Sequence, residues 1–440
     1  MIDYQLAFNI IVAITTITFG FFCIMSWWYI FYFFVSTKKI KEVPHSDKKT
    51  KFAILVAARN ESKVISGIFE SLKKQTYDPE YFDVWAIVED PKDKTNKIAE
   101  KYGYKTFLRD KLDESRKTKG FAIQECINYF MRNEIHYDAY MIFDADNLLE
   151  PRYIEVMNDL RQTGVKVGLG YRNFTNASEN WLTCCSATMF SYMNQITSKG
   201  RSYLFHKATL MGTGYYIDSS IIEDIGGWIF TGMTEDIQLS AYCVYHDVYM
   251  RYYPLVQFFD EQSPKFKDVH NQHLRWLAGY FHGRSFLKRN GVDYPYHSKG
   301  MQRLMRIEFK LGVSPFIVFN VVTVLLFIAS LVLAICSCFF AKDLIGYCFG
   351  LTAYQFLLLY VSFIIASGVT IAHDNKNLKF NFATKLWAVS TYMFFFYDFG
   401  LAFIDGFFHK EKRTNWKKIQ HTGEITNKEL QALKKRKKNG

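Results

Sequence analysis

No C-x-x-C pair occurs among the eight cysteines of this 440-residue chain. Cys184-Cys185 and Cys336-x-Cys338 are the closest approaches, and neither spacing suits a zinc site or a disulfide framework. There is no internal repeat, and the tail is the only low-complexity segment. No nucleic-acid motif accompanies the basic run KKRKK, so the reading includes no nucleic-acid partner. Charge is missing from long stretches. Leu6 to Val35 carries none over thirty residues, Val313 to Phe340 none over twenty-eight and Leu344 to Ala372 none over twenty-nine. Leu386 to Phe408 is apolar except for Asp398 and Asp405. Roughly 20 apolar residues, each rising 1.5 Å, cross a bilayer. The runs therefore predict membrane helices and account for a chain that is 49% hydrophobic and 18% aromatic.

The first run is expected to be an anchor, not a secretory signal. It is too long, has no basic residue ahead of it, and ends in FVSTKKIK without a small-residue cleavage site. Lys38, Lys39 and Lys41 then direct the following domain to the cytoplasm. The net charge is +12, and the tail from His409 onward holds eleven Lys and Arg against three Glu. That excess suits anionic lipid headgroups on the same side. Four full spans would put the tail outside, and Asp398 and Asp405 would each cost about 2.5–3.5 kcal/mol at a bilayer centre. One C-terminal segment is thus expected to be re-entrant or interfacial, or one long run to be a hairpin.

From Lys51 the pattern changes. FAILVA (52–57), VWAIV (84–88), KTFLR (105–109) and AYMIF (139–143) read as strands. Helical stretches at 64–74, 95–102, 120–131 and 151–160 alternate with them, the last opening on Pro151. The alternation predicts an α/β fold with a doubly wound, mostly parallel sheet, whose ligand sits at the carboxyl ends of the strands. The stretches 181–196, 268–289 and 301–312 read as amphipathic helices at a membrane surface, with ordinary core-facing helices as the alternative. The chain divides into an anchor (1–37), the α/β domain (50–295), an interface helix (296–312), C-terminal membrane segments (313–408) and a basic tail (409–440).

Polar and acidic groups follow the strands: Arg59 to Ser62 after the first, Glu89 to Asp93 after the second, Asp144-Ala145-Asp146 after the fourth, and further on Thr234-Glu235-Asp236. Singly, each could be a turn or a helix cap. Asp144 and Asp146, alternate residues of an extended segment, can face one hard divalent ion, Mg²⁺ or Mn²⁺. Asp236, where a helix begins, can take a proton from an acceptor hydroxyl or simply cap that helix. In NQHLRWLAGYFHG, Gln272, Arg275 and Trp276 fall on one helical face. The guanidinium and amide suit a diphosphate, and the indole offers a sugar a flat apolar platform.

D-x-D, T-E-D and Q-x-x-R-W, in this order in a membrane-anchored α/β domain, resemble the family 2 processive glycosyltransferases, which include cellulose, hyaluronan and poly-N-acetylglucosamine synthases. The resemblance implies a GT-A fold, a UDP-sugar donor, an inverting reaction and a growing polysaccharide as acceptor. It gives Asp236 the role of base, with Glu235 beside it, and Asp146 and Asp144 that of metal ligands. Donor contacts fall to Arg59, Glu61, Asp90, Lys119, Asp144, Gln272 and Arg275. Trp276 and the loop Gly212-Thr213-Gly214 fall to the acceptor. In the tail, RTNWKKIQHTGE resembles a gating segment that would bring Trp416 and His421 over the donor. EDPKD departs from the commoner D-D-G-S at the nucleoside site. Two rivals stay open. One is a non-processive transferase adding a single sugar to a lipid acceptor. The other is a transporter or scaffold without catalysis.

Overall fold

The computed structural model describes residues 3–109, 116–289 and 301–409. The chain begins with one 33-residue helix, α1 (Tyr4–Ser36), capped by Asp3, whose carboxylate accepts from the Leu6 N–H at 2.9 Å. An alternating region follows: β1 (Phe52–Ala57), α2 (Ile65–Lys73), β2 (Phe82–Val88), α3 (Lys94–Tyr102), β3 (Lys105–Leu108), α4 (Lys119–Arg132) and β4 (Ala139–Asp144). Next come β5 (Leu148–Leu149), α5 (Tyr153–Gln162), β6 (Val167–Phe174), α6 (Trp181–Ser191), α7 (Lys199–Phe205) and β7 (Tyr215–Asp218). Then come α8 (Ser219–Asp224), α9 (Glu235–Tyr245), β8 (Met250–Asp260) and α10 (Phe266–Arg289). The C-terminal region holds α11 (Met301–Phe340), α12 (Ile345–His373), α13 (Asn375–Leu378) and α14 (Phe382–Phe408).

The eight strands form one sheet in the order β3-β2-β1-β4-β7-β6-β8-β5. The half built from β3, β2, β1 and β4 is parallel, as alternation requires. The other half is mixed: β7 runs antiparallel to β4 and β6, β8 parallel to β6, and β5 antiparallel to β8. Register brings Ala57 opposite both Ile87 and Asp144. The residues just beyond β1, β2 and β4 therefore share one sheet edge. Side chains alternate across the pleat. Phe52, Ile54 and Val56 pack with Ile65, Phe69 and Met157 on one face; Ala53 and Leu55 join Ile123, Ile127 and Phe130 on the other.

Two boundaries differ from the sequence reading. Pro151 sits in the turn before α5, which begins at Tyr153 where the backbone N–H bonds to the Glu150 carbonyl at 3.0 Å. The segments expected on either side of residue 312 form one continuous helix, α11. Between α6 and α7, residues 192–198 wind as a π-helix, a form that often marks functional sites.

Four described helices are long and apolar enough to cross a membrane by length and composition, in α1, α11, α12 and α14. The last also lies against the α/β domain along much of its length. Near its start Cys185 Sγ of α6 approaches Thr391 Oγ1 at 3.3 Å; further on, His273 and His270 of α10 meet Asp398 at 2.8 and 2.6 Å. Further still, His270 Nε2 lies 3.5 Å from Asp405. The two acids that looked expensive in an apolar run thus have imidazole partners.

Candidate active site

A cavity of about 1760 Å³ opens at the shared sheet edge. Its wall collects Arg59, Glu61, Lys119, Asp144, Asp146, Gly212, Glu235, Asp236, Gln272, Arg275 and Trp276, residues that lie as much as 217 positions apart in sequence, Arg59 to Trp276.

Lys119, at the start of α4, holds two sides together. Its ammonium donates to Asp144 Oδ1 at 2.5 Å and to the Gly212 carbonyl at 2.7 Å. Gly212 has φ +83, and a Cβ there would lie 3.8 Å from Asp236 Oδ2, so this loop faces the expected base directly. Burial works against the charge on Lys119, but Asp144, Glu235 and Asp236 outweigh it and raise its pKa above the ordinary lysine value. Behind the loop, Thr213 Oγ1 accepts from the Asp144 N–H at 2.9 Å. Gly214 continues into β7, its carbonyl accepting from the Tyr153 hydroxyl at 2.8 Å. Of the three loop residues proposed for the acceptor, only Gly212 reaches the cavity wall; Thr213 and Gly214 are buried supports.

Asp146 lies beside Asp144 and Asp260. Burial, then the charges of Asp260 and Asp144, raises its pKa well above the carboxylate range. Arg172 pairs with Asp260 through Nε at 2.9 Å and donates to the Met211 carbonyl at 2.6 Å. Three carboxylates thus converge with Lys119 and Arg172 as the cations in contact. The surplus acid and the all-oxygen donor set fit a hard divalent cation that shares its shell with diphosphate oxygens. The protein side offers a pair: among the described residues no group of three His, Cys, Asp or Glu is arranged to hold a metal alone.

Glu235 is buried and Asp236 half-buried, both in the first turn of α9. Burial, then the neighbouring Asp236 charge, pushes the Glu235 pKa up to about 8. Asp236 is raised too, by burial, with the Ile237 N–H bond of 2.8 Å and the charges of Lys119 and Arg172 pulling the other way. These acids meet α10 because Gly279 leaves room for Thr234: a Cβ on Gly279 would sit 2.4 Å from Thr234 Cγ2. One to two turns earlier on α10, Gln272, Arg275 and Trp276 line the cavity, and among the described residues none of their side chains has a hydrogen bond within the chain. Burial lowers the Arg275 pKa while Glu235, Asp144 and Asp236 sustain its charge.

The nucleoside end is less direct. Arg59 Nε pairs with Glu89 at 2.8 Å, and Glu89 also holds buried Arg109 at 2.6 Å. Asp90 does not line the cavity. It is exposed, and its carboxylate accepts from the Lys92 N–H at 2.8 Å, tightening its own turn. Its neighbour Glu89 takes the position on the wall. Trp416 and His421 fall outside the described residues. Sequence reasoning placed Glu89 among the strand-end acids without giving it a role, and missed Arg109, Arg172 and Asp260. Asp260 had the signal used elsewhere, an acid ending an apolar strand; Arg172 lies within a strand and gave none.

Residues 50–279, just over half of the chain, match the family described as Glycosyltransferase like family 2. The chain belongs to this glycosyltransferase family. Among curated relatives, this family member is 26% identical over 254 residues to a probable glycosyltransferase, YdaM, of Bacillus subtilis, covering 55% of this chain and 56% of that protein. It is 25% identical over 234 residues to a beta-monoglucosyldiacylglycerol synthase of Trichormus variabilis, covering 52% and 48%. The chain spans about half the length of the curated relatives it matches. Among solved structures it shares its fold with the mannosyltransferase PcManGT from Pyrobaculum calidifontis, determined in complex with GDP-Man and Mn²⁺. The TM-score is 0.55 at 14% identity, over 84% of this chain and 99% of that one. The GT-A-like α/β domain is thus in place.

Beyond the acidic edge the same cavity continues between the apolar helices, along α1 and α12, as far as Thr15 and Tyr354. There Gln355 donates to Thr15 Oγ1 at 2.8 Å and accepts from Ser330 Oγ at 2.9 Å. Below that tie, Leu333, Ala334 and Cys348 pack with Tyr4, Phe8 and Ile11.

Proposed function

We propose that this chain transfers a sugar from a UDP-sugar to the hydroxyl of a membrane lipid of the diacylglycerol type. One observation carries the reading: the cavity that begins at the D-x-D acids becomes apolar between the long helices and ends at the Thr15–Gln355 tie. A lengthening hydrophilic polymer would need a polar path onward. A single lipid needs only a polar end for its head and an apolar end for its chains. The synthase of Trichormus variabilis, whose name specifies a glucosylated diacylglycerol, supports the lipid class. The acids support a hydroxyl as the reacting group. A phosphate is already ionised and needs no base, whereas a hydroxyl must lose its proton as it attacks.

In this reading Asp236 takes the acceptor proton while the oxygen attacks the anomeric carbon. The bond from that carbon to the UDP oxygen breaks and the configuration inverts. Arg275, Lys119 and Gln272 face the departing diphosphate. Asp146 and Asp144 would hold Mg²⁺ or Mn²⁺, which when bound neutralises diphosphate charge; PcManGT was determined with Mn²⁺. Trp276 lies under the acceptor head. The domain and the tail share the cytoplasmic side: α1, α11 and α12 span, and α14 lies along the domain at the interface. The Q-x-x-R-W helix also supports polymerisation, which uses the same donor site.

Purified full-length protein, supplied with UDP-glucose or UDP-N-acetylglucosamine, Mn²⁺ and dioleoylglycerol, should release UDP and yield a glycolipid one sugar heavier by mass spectrometry. A product that lengthens with time and stays in the aqueous phase would overturn the lipid reading.

A further inference from the structure

The helices α1 and α12 are tied by polar contacts at two levels. At one end Gln355 bonds to Thr15; at the other Ser36 Oγ lies 3.2 Å from His373 Nε2. The ties are 21 residues apart on α1 and 18 on α12, or about 31 and 27 Å at 1.5 Å per residue. Between them the cavity is walled by Phe19, Gly20 and Cys23 from α1 and by Leu358, Ile365 and Ala366 from α12. Gly20, Cys23, Ile365 and Ala366 are also exposed, so the cavity at their level is accessible between the two helices. A Cβ on Gly20 would meet nothing within 4 Å, so the gap at that level is open.

We propose that this slot between α1 and α12 is a lateral portal that seats the hydrocarbon chains of the acceptor lipid, a proposal that rests on the lipid-acceptor reading above. The slot joins the catalytic cavity without a break, so a lipid whose hydroxyl is at Asp236 has its chains directed along α1. Its wall is apolar where a membrane lipid would enter. Moving chains from bilayer to slot exchanges one apolar setting for another. The slot therefore adds little affinity. It fixes the depth and heading of the head, which is what transfer needs. The two ties fix the spacing of the helices at each level: separating them would leave Gln355 unsatisfied among apolar neighbours.

The test uses the full-length protein in lipid nanodiscs with two acceptors, dioleoylglycerol and the short-chain dihexanoylglycerol, which leaves much less hydrocarbon to seat in the slot. Gly20→Trp and Ala366→Trp fill the slot; Ile17→Trp, on an exposed part of α1 outside the cavity, is the control. The ratio of long-chain to short-chain transfer should fall by about tenfold or more in both filled variants, a loss of ground seen only with the chain, and stay at the wild-type value in Ile17→Trp. An unchanged ratio in Gly20→Trp and Ala366→Trp overturns the portal. A second measurement does not depend on variants folding. Alkylation of Cys23 by N-ethylmaleimide, followed by peptide mass, should slow when dioleoylglycerol is added, and unslowed alkylation overturns the portal as well. If the wild type transfers sugar to neither lipid, the acceptor reading itself falls. If it transfers to both and the slot variants match it, only the portal falls.

Discussion

His273 of α10 places its Nδ1 2.8 Å from Asp398 Oδ2 of α14, and the imidazole stacks on Phe399 with ring centroids 3.8 Å apart. His273 lies between Gln272 and Arg275, so the face of α10 turned from the cavity is bolted to a membrane-region helix. His270 extends the bolt to Asp398 at 2.6 Å and toward Asp405 at 3.5 Å. Replacing Asp398 with Leu should destabilise the detergent-solubilised protein by about 3 kcal/mol or more, the cost of stranding buried partners. Transfer should fall with it, because Arg275 and Trp276 lose their backing. Thermal unfolding and UDP release check both; an unchanged melting temperature would mean the contact carries no load.

The same contact predicts a pH effect. The bond to Asp398 raises the His270 pKa, against the pull of burial. A folded-state pKa above the unfolded value gives stability that is complete below about 6.5 and is lost as pH rises through the folded value. His270→Gln should remove that loss. Melting temperatures of wild type and variant, compared from pH 6 upward, should converge at the alkaline end.

Asp236→Asn should bind donor and lose transfer by roughly 10²–10⁴-fold, the range for a removed general base. Glu235→Gln should act differently. At neutral pH Glu235, its pKa pushed up to about 8 by burial and by the Asp236 charge, keeps its proton. Glu235→Gln copies that neutral form, so the acid limb of kcat/KM should stay in place, while any change of rate that follows Glu235 ionisation as pH rises through about 8 should disappear. A variant that keeps the same alkaline change would separate Glu235 from the titration that controls transfer.

Asp146→Asn should raise the melting temperature of the metal-free protein, because it removes one of three crowded carboxylates. It should also cancel the stabilisation that Mn²⁺ gives the wild type. A calorimetric scan with and without Mn²⁺ reads both changes, and equal stabilisation of variant and wild type by Mn²⁺ would remove Asp146 from the site.

Trp276→Ala should reduce transfer to lipid more than hydrolysis of the donor. Water needs no platform, whereas on the proposed reading the lipid head rests on the ring. Comparing UDP release with glycolipid formation gives the ratio; equal losses would assign the indole to the donor side or to packing against Phe190 and Phe399.

Much of this was legible from local pattern. β1, β2, β3 and β4 announced themselves as apolar runs with polar ends, and Asp144, Asp236 and Arg275 stood out by motif. What sequence could not supply came from long-range pairing. The mixed half of the sheet depends on β6, β7 and β8 meeting across up to about 90 residues, and no periodicity encodes which strand is a neighbour. Asp398 read as a liability because its partners lie 125 and 128 residues away on α10. Asp90 was assigned by analogy of motif; the turn it closes with Lys92 points its carboxylate at its own backbone, and Glu89 occupies the wall.

Among the described residues, the tie between Gln355, Thr15 and Ser330, with the apolar cluster beneath it, lies where the lining of the cavity stops. On the lipid-acceptor proposal, an acceptor that enters sideways also leaves sideways, and its product returns to the leaflet that supplied it. Each turnover would then add a bulky, hydrated head to one side of the bilayer alone, and on that proposal the chain is a source of compositional asymmetry and of lateral pressure in that leaflet.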